Sequence, residues 1–418
     1  MDQEGTREGY SIWKGTSTVE LMRGEAKAWK YVSDGLDFID SYFVPIEFDQ
    51  RYPDKKDRDL DETDWTEMKR CSKKIIIDES KEEPVIERNT TIRKRRWCWP
   101  FKFLPFWGKS VQYKTKEYIM TYEFGDKSKL PTIILIHGYA GSALTYYPLF
   151  KFLHGKFHVI GIDLLGMGCS SRPEFLANST KEAGLFFVES IEQWRKEMKL
   201  EKMTLVWHSL GSYIGAKYAL RYPERIDRMV LLSPLGVEKN LAKFNQTFRR
   251  ADTDAQWIRK YLYAFARYLL KNHQSPIDIL RVLGRKPATI LIDDYITRRL
   301  RLSVEEKEQL FHYFYQMAMS KKSGELAIGR ITEISLAAYE PLHDELLDLK
   351  DQGIEIIIAY GEHDFLNTKF NGTPIADVLA EEGFEVSFIP DATHQVFFDK
   401  PKECVDVIWK LLPNSKKI

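Results

Sequence analysis

Ser209 stands where the apolar run 203–206 gives way to Trp207-His208-Ser209-Leu210-Gly211 and then to a helix-like stretch at 213–220. A hydroxyl becomes an effective nucleophile when a base takes its proton and its oxygen projects clear of the backbone, which a sharp strand-to-helix turn provides. Gly211 would let such a turn close without a Cβ clash. The base and the group that orients it come later in the chain. Residues 354–360 are an apolar run ending at Gly361-Glu362-His363-Asp364, and residues 386–390 lead into Asp391-Ala392-Thr393-His394. The order Ser209, Asp364, His394, each just past an apolar strand, is the order of an acyl-transfer triad on a doubly wound sheet. Glu362 and His363 compete as acid and base but rank lower, because His363 lies too close to Asp364 in sequence for both to reach Ser209.

Each of these residues also has a plain structural reading. Ser209 fits a helix cap, His394 a water-satisfied loop histidine, and Asp364 a cap for a short helix at 365–367. The three together, in one order and at equivalent strand ends, favour the chemical reading. One position departs from the G-x-S-x-G pattern: the first glycine is replaced by Trp207. An indole there must find room where strand and helix normally approach closely, and filling the space above Ser209 would end catalysis.

The elements that would position these groups follow from periodicity. Residues 131–136 read as a short buried strand entering His137-Gly138-Tyr139-Ala140-Gly141, and residues 228–233 as another. The first of these loops would supply one oxyanion-hole amide, Tyr139 N–H, and the residue after the nucleophile the other, Leu210 N–H. Roughly 115 residues separate strand 228–233 from strand 354–360, and an insertion of that length reads as a helical lid. Its stretch 257–270 is apolar on more than one face, which calls for two partners. Arg249, Arg250, Arg259 and Arg267 read either as lipid-phosphate ligands or as a solvated basic face. The fold class is therefore α/β, a doubly wound, mostly parallel sheet with a helical lid insertion and an N-terminal extension. The divisions are 1–110 for the extension, 111–237 and 351–418 for the two parts of the core, and 238–350 for the lid.

The segment Leu164-Leu165-Gly166-Met167-Gly168-Cys169-Ser170-Ser171-Arg172-Pro173, with residues 187–195 and more weakly Ser323-Gly324-Glu325 and residues 276–284, resembles the abhydrolase-domain lipid enzymes. That family includes lysophospholipases, N-acyl-phosphatidylethanolamine lipases, lysophosphatidic-acid acyltransferases and a lipid-droplet lipase co-activator. The likeness runs from about Tyr118 to Ile408. It implies the alpha/beta-hydrolase fold, catalytic roles for Ser209, Asp364 and His394, and a phospholipid or lysophospholipid acyl substrate. The co-activator branch carries asparagine at the nucleophile position, whereas this chain keeps serine. A second family pattern, H-x-x-x-x-D, is matched by His394 and Asp399 and implies acyl transfer from acyl-CoA. Its structural alternative makes Asp399 the N-cap of a final helix at 402–412.

Composition agrees with this reading. The chain has 418 residues, 44% hydrophobic, and a net charge of +1. It is long enough for one large core, and nothing in the charge suggests nucleic acid. No phosphate-cradling glycine loop or zinc-like cysteine cluster appears, so neither cofactor nor metal is expected. Cys71, Cys98, Cys169 and Cys404 are scattered and read as reduced thiols of an intracellular protein. No secretory signal or membrane-spanning run is present in the sequence, which implies a soluble or peripheral protein.

The extension is uneven. Residues 1–47 have amphipathic potential and are expected to form one or two helices packed on the domain. Residues 49–87 are dense in mixed charge and read as a linker or loop-rich cover. Residues 93–107 carry no acid but Trp97, Trp99, Phe101, Phe103, Phe106 and Trp107 among basic residues. Such a segment has the chemistry of a wedge at a membrane or lipid-droplet surface; packing of the aromatics on the core is the alternative. The partners implied are a lipid substrate, a lipid surface and, on the co-activator reading, a lipase.

Overall fold

The computed structural model describes residues 21, 24, 25, 27, 28, 39–48, 115–238 and 274–411 except 301, 334 and 371. Eight strands form one sheet: β1 (Asp40–Phe48), β2 (Thr115–Phe124), β3 (Thr132–Ile136), β4 (His158–Ile162), β5 (Met203–His208), β6 (Ile226–Leu232), β7 (Glu355–Gly361) and β8 (Glu385–Ile389). Their order is β1-β2-β4-β3-β5-β6-β7-β8. β2 runs antiparallel to β1 and β4, and every pairing from β4 through β8 is parallel. Parallel strands covered on both faces become near-continuous apolar runs. Ile133, Ile134, Leu135 and Ile136 are buried without alternation, as are Met229, Val230, Leu231 and Leu232.

Helices fill both layers. On one face lie α2 (Thr180–Glu197) and α3 (Leu210–Arg221), joined by α7 (His343–Asp351) and α8 (Ile375–Glu381); on the other lie α1 (Tyr147–Leu153) and α9 (Pro401–Trp409). The intervening insertion holds α4 (Pro276–Leu283), α5 (Arg285–Arg299) and α6 (Val304–Met319). Its end, α7, packs on α3 and therefore belongs to the sheet's covering layer.

One expectation needs adjustment. Residues 40–47 are not helical: Asp40–Phe48 pairs along its whole length with Thr115–Phe124 as the edge strand, burying Val44, Ile46 and Phe48. The alternation of those buried residues is a strand period of two, which the wider scatter of apolar residues upstream obscures. Helical backbone is described upstream, at residues 21, 24, 25, 27 and 28, where Leu21 and Ala28 join Tyr313 and Met317 of α6 in an apolar cluster. The aromatic-basic segment 93–107, the charged segment 49–87 and lid residues 249–270 lie outside the described residues.

Candidate active site

β5 and α3 meet at Ser209, whose backbone sits at φ 54°, ψ −118°. That is costly for a residue with a Cβ and persists only where the surroundings over-determine it. Ser209 N–H donates to Leu232 O at 3.0 Å, while Ser209 O accepts from Ser212 N at 2.9 Å and Leu235 N at 3.2 Å. Glycines remove the obstacles around the turn. A Cβ on Gly211 would lie 2.6 Å from His137 O, and one on Gly138 would lie 2.8 Å from Ser209 Cβ.

Trp207 is accommodated by the same means. It is fully buried, with its ring in the apolar layer between the sheet and α3. A Cβ on Gly215 would lie 2.5 Å from its indole carbons. The glycine missing from the strand side of the elbow thus reappears about one and a half turns into α3, and the indole occupies the core below the turn. Its N–H has no hydrogen-bond partner among the described residues. That orphaned donor is a cost of placing tryptophan here.

The three predicted groups meet. His394 Nε2 lies 3.0 Å from Ser209 Oγ, and His394 Nδ1 lies 3.1 Å from Asp364 Oδ1. The same Asp364 oxygen accepts Leu366 N–H at 2.9 Å. Burial alone would push the Asp364 carboxyl up, but the hydrogen bond and charge of His394 outweigh it and hold the group below the ordinary aspartate range. An ionised carboxylate therefore faces Nδ1–H and leaves Nε2 to face the serine.

Neighbours that were not anticipated fix the His394 loop. His208 Nε2–H donates to His394 O at 2.9 Å, and the two rings lie 4.8 Å apart. Burial first, then the nearby His394, lowers the His208 pKa to about 3, so it braces the loop as a neutral ring. Gly361 ends β7 where a Cβ would lie 2.3 Å from Thr393 O. Asp399 does not cap the last helix: α9 begins after Lys400, whose side chain makes no cap, and the Asp399 carboxylate points back to Thr393. Its Oδ2 accepts Thr393 N–H at 2.7 Å and Thr393 Oγ1–H at 2.6 Å. The four-residue spacing from His394 to Asp399 thus closes a turn around the histidine. Glu362 and His363 are exposed and lie with Asp391 instead of with Ser209.

Tyr139 follows Gly138, the residue pressed against Ser209, and precedes Ala140 at φ 54°. Leu210 is the first residue of α3, so its N–H has no partner within the helix. The Tyr139 loop is tied down by His137, whose Nδ1 bonds Gly138 O at 2.8 Å while Nε2 accepts Leu164 N–H at 2.9 Å. Burial lowers the His137 pKa to about 4 and keeps it neutral. Asp163 extends the brace, accepting Ala143 N–H and Cys169 N–H, each at 2.7 Å. Of the groups that could ligate a cation, Glu25, Asp163 and Cys169 are buried together, and Glu362, His363 and Asp391 are exposed together. Both Asp163 oxygens already serve backbone amides, and Glu25 accepts the Tyr122 hydroxyl, so hydrogen bonding accounts for the buried group.

The lid is anchored through Arg172. Its guanidinium donates to Gly166 O at 2.9 Å, Gly168 O at 3.1 Å and Lys321 O at 3.0 Å, and sits 3.6 Å from Glu325. Gly324 packs so tightly that a Cβ on Gly166 would lie 2.2 Å from its nitrogen.

A strained serine at a strand-to-helix turn, joined to a histidine and a carboxylate from successive strand ends, defines an alpha/beta hydrolase. The family's pattern matches residues 131–401, and the chain belongs to it. It is 31% identical to a 1-acylglycerol-3-phosphate O-acyltransferase of Arabidopsis thaliana, over 71% of this chain and 69% of that protein. It is 29% identical to the 1-acylglycerol-3-phosphate O-acyltransferase ABHD5 of Rattus norvegicus, over 66% of this chain and 75% of the relative. Among solved structures, Cfl2 of Burkholderia cenocepacia covers 70% of this chain and 92% of its own at 18% identity, with a TM-score of 0.50. Among the described residues no helix is long and apolar enough to cross a membrane.

Proposed function

We propose that this chain is a serine hydrolase that cleaves acyl ester or amide bonds of phospholipids or lysophospholipids through an acyl-enzyme. The observation that carries the reading is the unbroken chain Asp364–His394–Ser209, with contacts of 3.1 and 3.0 Å. Ser209 Oγ attacks the acyl carbonyl while His394 Nε2 takes its proton. The carbonyl oxygen, now an anion, accepts the Tyr139 and Leu210 amides. As the tetrahedral centre collapses, His394 returns the proton to the departing alcohol or amine, and the acyl group stays on Ser209. Water, deprotonated by the same imidazole, then attacks the acyl-enzyme and releases the fatty acid.

A second reading is supported by the relatives named as 1-acylglycerol-3-phosphate O-acyltransferases. On it, a lysolipid hydroxyl takes the place of water and the acyl group passes to a new ester, with acyl-CoA as donor. In both readings the lipid surface is a membrane or droplet that the protein meets peripherally, inside the cell.

Labelling with a fluorophosphonate separates catalysis from binding. Wild type is expected to label and Ser209→Ala to show none, with fatty-acid release from lysophospholipid vesicles falling by roughly a millionfold, to background. Adding lysophosphatidic acid and labelled acyl-CoA measures transfer against hydrolysis. A wild-type protein that neither labels nor turns over, yet alters a lipase's activity, would overturn the catalytic reading in favour of a co-activator.

A further inference from the structure

The hairpin α4–α5 departs from the rest of the described structure in what it leaves uncovered. α5 buries Ala288, Ile292 and Ile296, a spacing of four that defines one helical face. Opposite that face it exposes Ile290 at 68%, and along its edge Leu291 at 46% and Tyr295 at 49%. The end of α4 adds Val282 at 84% and Leu283 at 47%. A helix that is apolar on two sides has two partners, and the protein interior supplies one. Only Gly284, at φ 81° with nothing near its Cβ position, separates the two helices.

Charge identifies the second partner. Between Asp278 and Asp293 the chain carries Arg281, Arg285 and Lys286 and no carboxylate, and the exposed Asp294, one turn beyond Ile290, is paired with Arg298 at 2.5 Å. Arg281 turns inward to Asp278 at 2.7 Å and Glu325 at 2.6 Å, while Arg285 and Lys286 are exposed beside the apolar residues. A second copy of the chain laid on the same patch would bring these cations against themselves. An anionic bilayer complements both features, since acyl chains receive the apolar residues and headgroups meet the cations.

We infer that the α4–α5 corner, Val282, Leu283, Ile290 and Leu291 flanked by Arg285 and Lys286, is a docking surface for an anionic phospholipid bilayer, separate from the aromatic-basic segment 93–107. The inference extends the lipid reading above, but its test needs no turnover. The full chain is prepared with Cys71→Ser, Cys98→Ser and Ile290→Cys; Cys169 and Cys404 are buried, so an environment-sensitive fluorophore reports position 290. Vesicles of phosphatidylcholine with phosphatidylserine are expected to shift its emission to the blue, and vesicles of phosphatidylcholine alone to do so much less. The same label at Glu308→Cys, exposed on α6, should not respond. Adding Arg285→Ala and Lys286→Ala should raise the lipid concentration for half-maximal response roughly thirtyfold, with the thermal midpoint unchanged. A label at 290 that ignores anionic vesicles overturns the proposal, even if other segments hold the protein on them. So does a shift that follows protein concentration without lipid, which would make the corner a self-association surface.

Discussion

The catalytic rim and the α4–α5 hairpin treat their side chains in opposite ways. At the rim the groups that set the geometry are engaged by neighbours: Asp364 by His394 and Leu366, the His394 carbonyl by His208, and Thr393 by Asp399. Strain at Ser209 is held by hydrogen bonds to its own backbone. At the hairpin, apolar residues of similar size face outward and no neighbour among the described residues covers them. The proposed chemistry, which depends on tenths of an ångström, sits where a strained backbone and paired side chains hold its groups, and the face open to a partner lies where fewer contacts do. Substitutions at the rim should therefore cost stability or turnover, and those at the hairpin should cost neither stability nor turnover of a soluble ester.

The largest effect at the rim is expected beneath Ser209. Gly215→Val would drive a side chain into the Trp207 ring, already 2.5 Å from the position of a Cβ. Overpacking of this kind costs about 1–3 kcal/mol, and displacement of Ser209 should lower kcat as well. Pairing it with Trp207→Ala should return part of the stability, and a chemical-denaturation cycle over the four proteins measures the coupling. Additive effects would mean that the indole and the glycine do not share this space.

A smaller effect is expected at Asp399. It touches neither Ser209 nor the His394 ring, so it is a positioning residue acting through Thr393. Asp399→Ala removes two charge-assisted hydrogen bonds and should lower kcat about 10- to 100-fold, taking each as about 1.5–3 kcal/mol with partial relaxation, while KM stays near its wild-type value. If the residue instead served acyl transfer alone, hydrolysis would be untouched and only transfer from acyl-CoA would fall. Measuring both reactions on the same variant decides between these roles.

Much of this arrangement was legible in the sequence because parallel strands announce themselves as apolar runs and the functional residues follow their ends. The runs 131–136, 203–206, 354–360 and 386–390 were visible in that way and overlap the observed strands, with Ser209, Asp364 and His394 after them. What escaped was carried by spacing between distant segments. Nothing local to Gly215 says that it makes room for Trp207, although a tryptophan replacing one glycine and a glycine eight residues on was a usable signal. β1 was hidden because an edge strand buries alternate residues only, and its partner lies beyond a long charged segment. Asp399 fitted a helix cap by position, and only its side-chain direction assigns it to Thr393.

The smallest effect lies where the N-terminal segment meets the core. Glu25 is buried beside Asp163 and accepts the Tyr122 hydroxyl. Burial, then the neighbouring Asp163, pushes the Glu25 carboxyl from 4.5 up to about 8, and burial pushes Asp163 from 3.8 to about 7. Each raised carboxyl binds its proton more tightly when folded than unfolded, so the unfolded state holds fewer protons between those values. Stability should therefore be greatest below about pH 3.8 as far as this pair is concerned, and decline as pH rises toward about 8. Glu25→Gln removes one titrating group and keeps the shape, so its thermal midpoint should fall less steeply than wild type between pH 5 and pH 8 (about 1.4 kcal/mol per pH unit at most for one group). Parallel slopes for the two proteins would show that this carboxyl ionises in the folded protein without penalty.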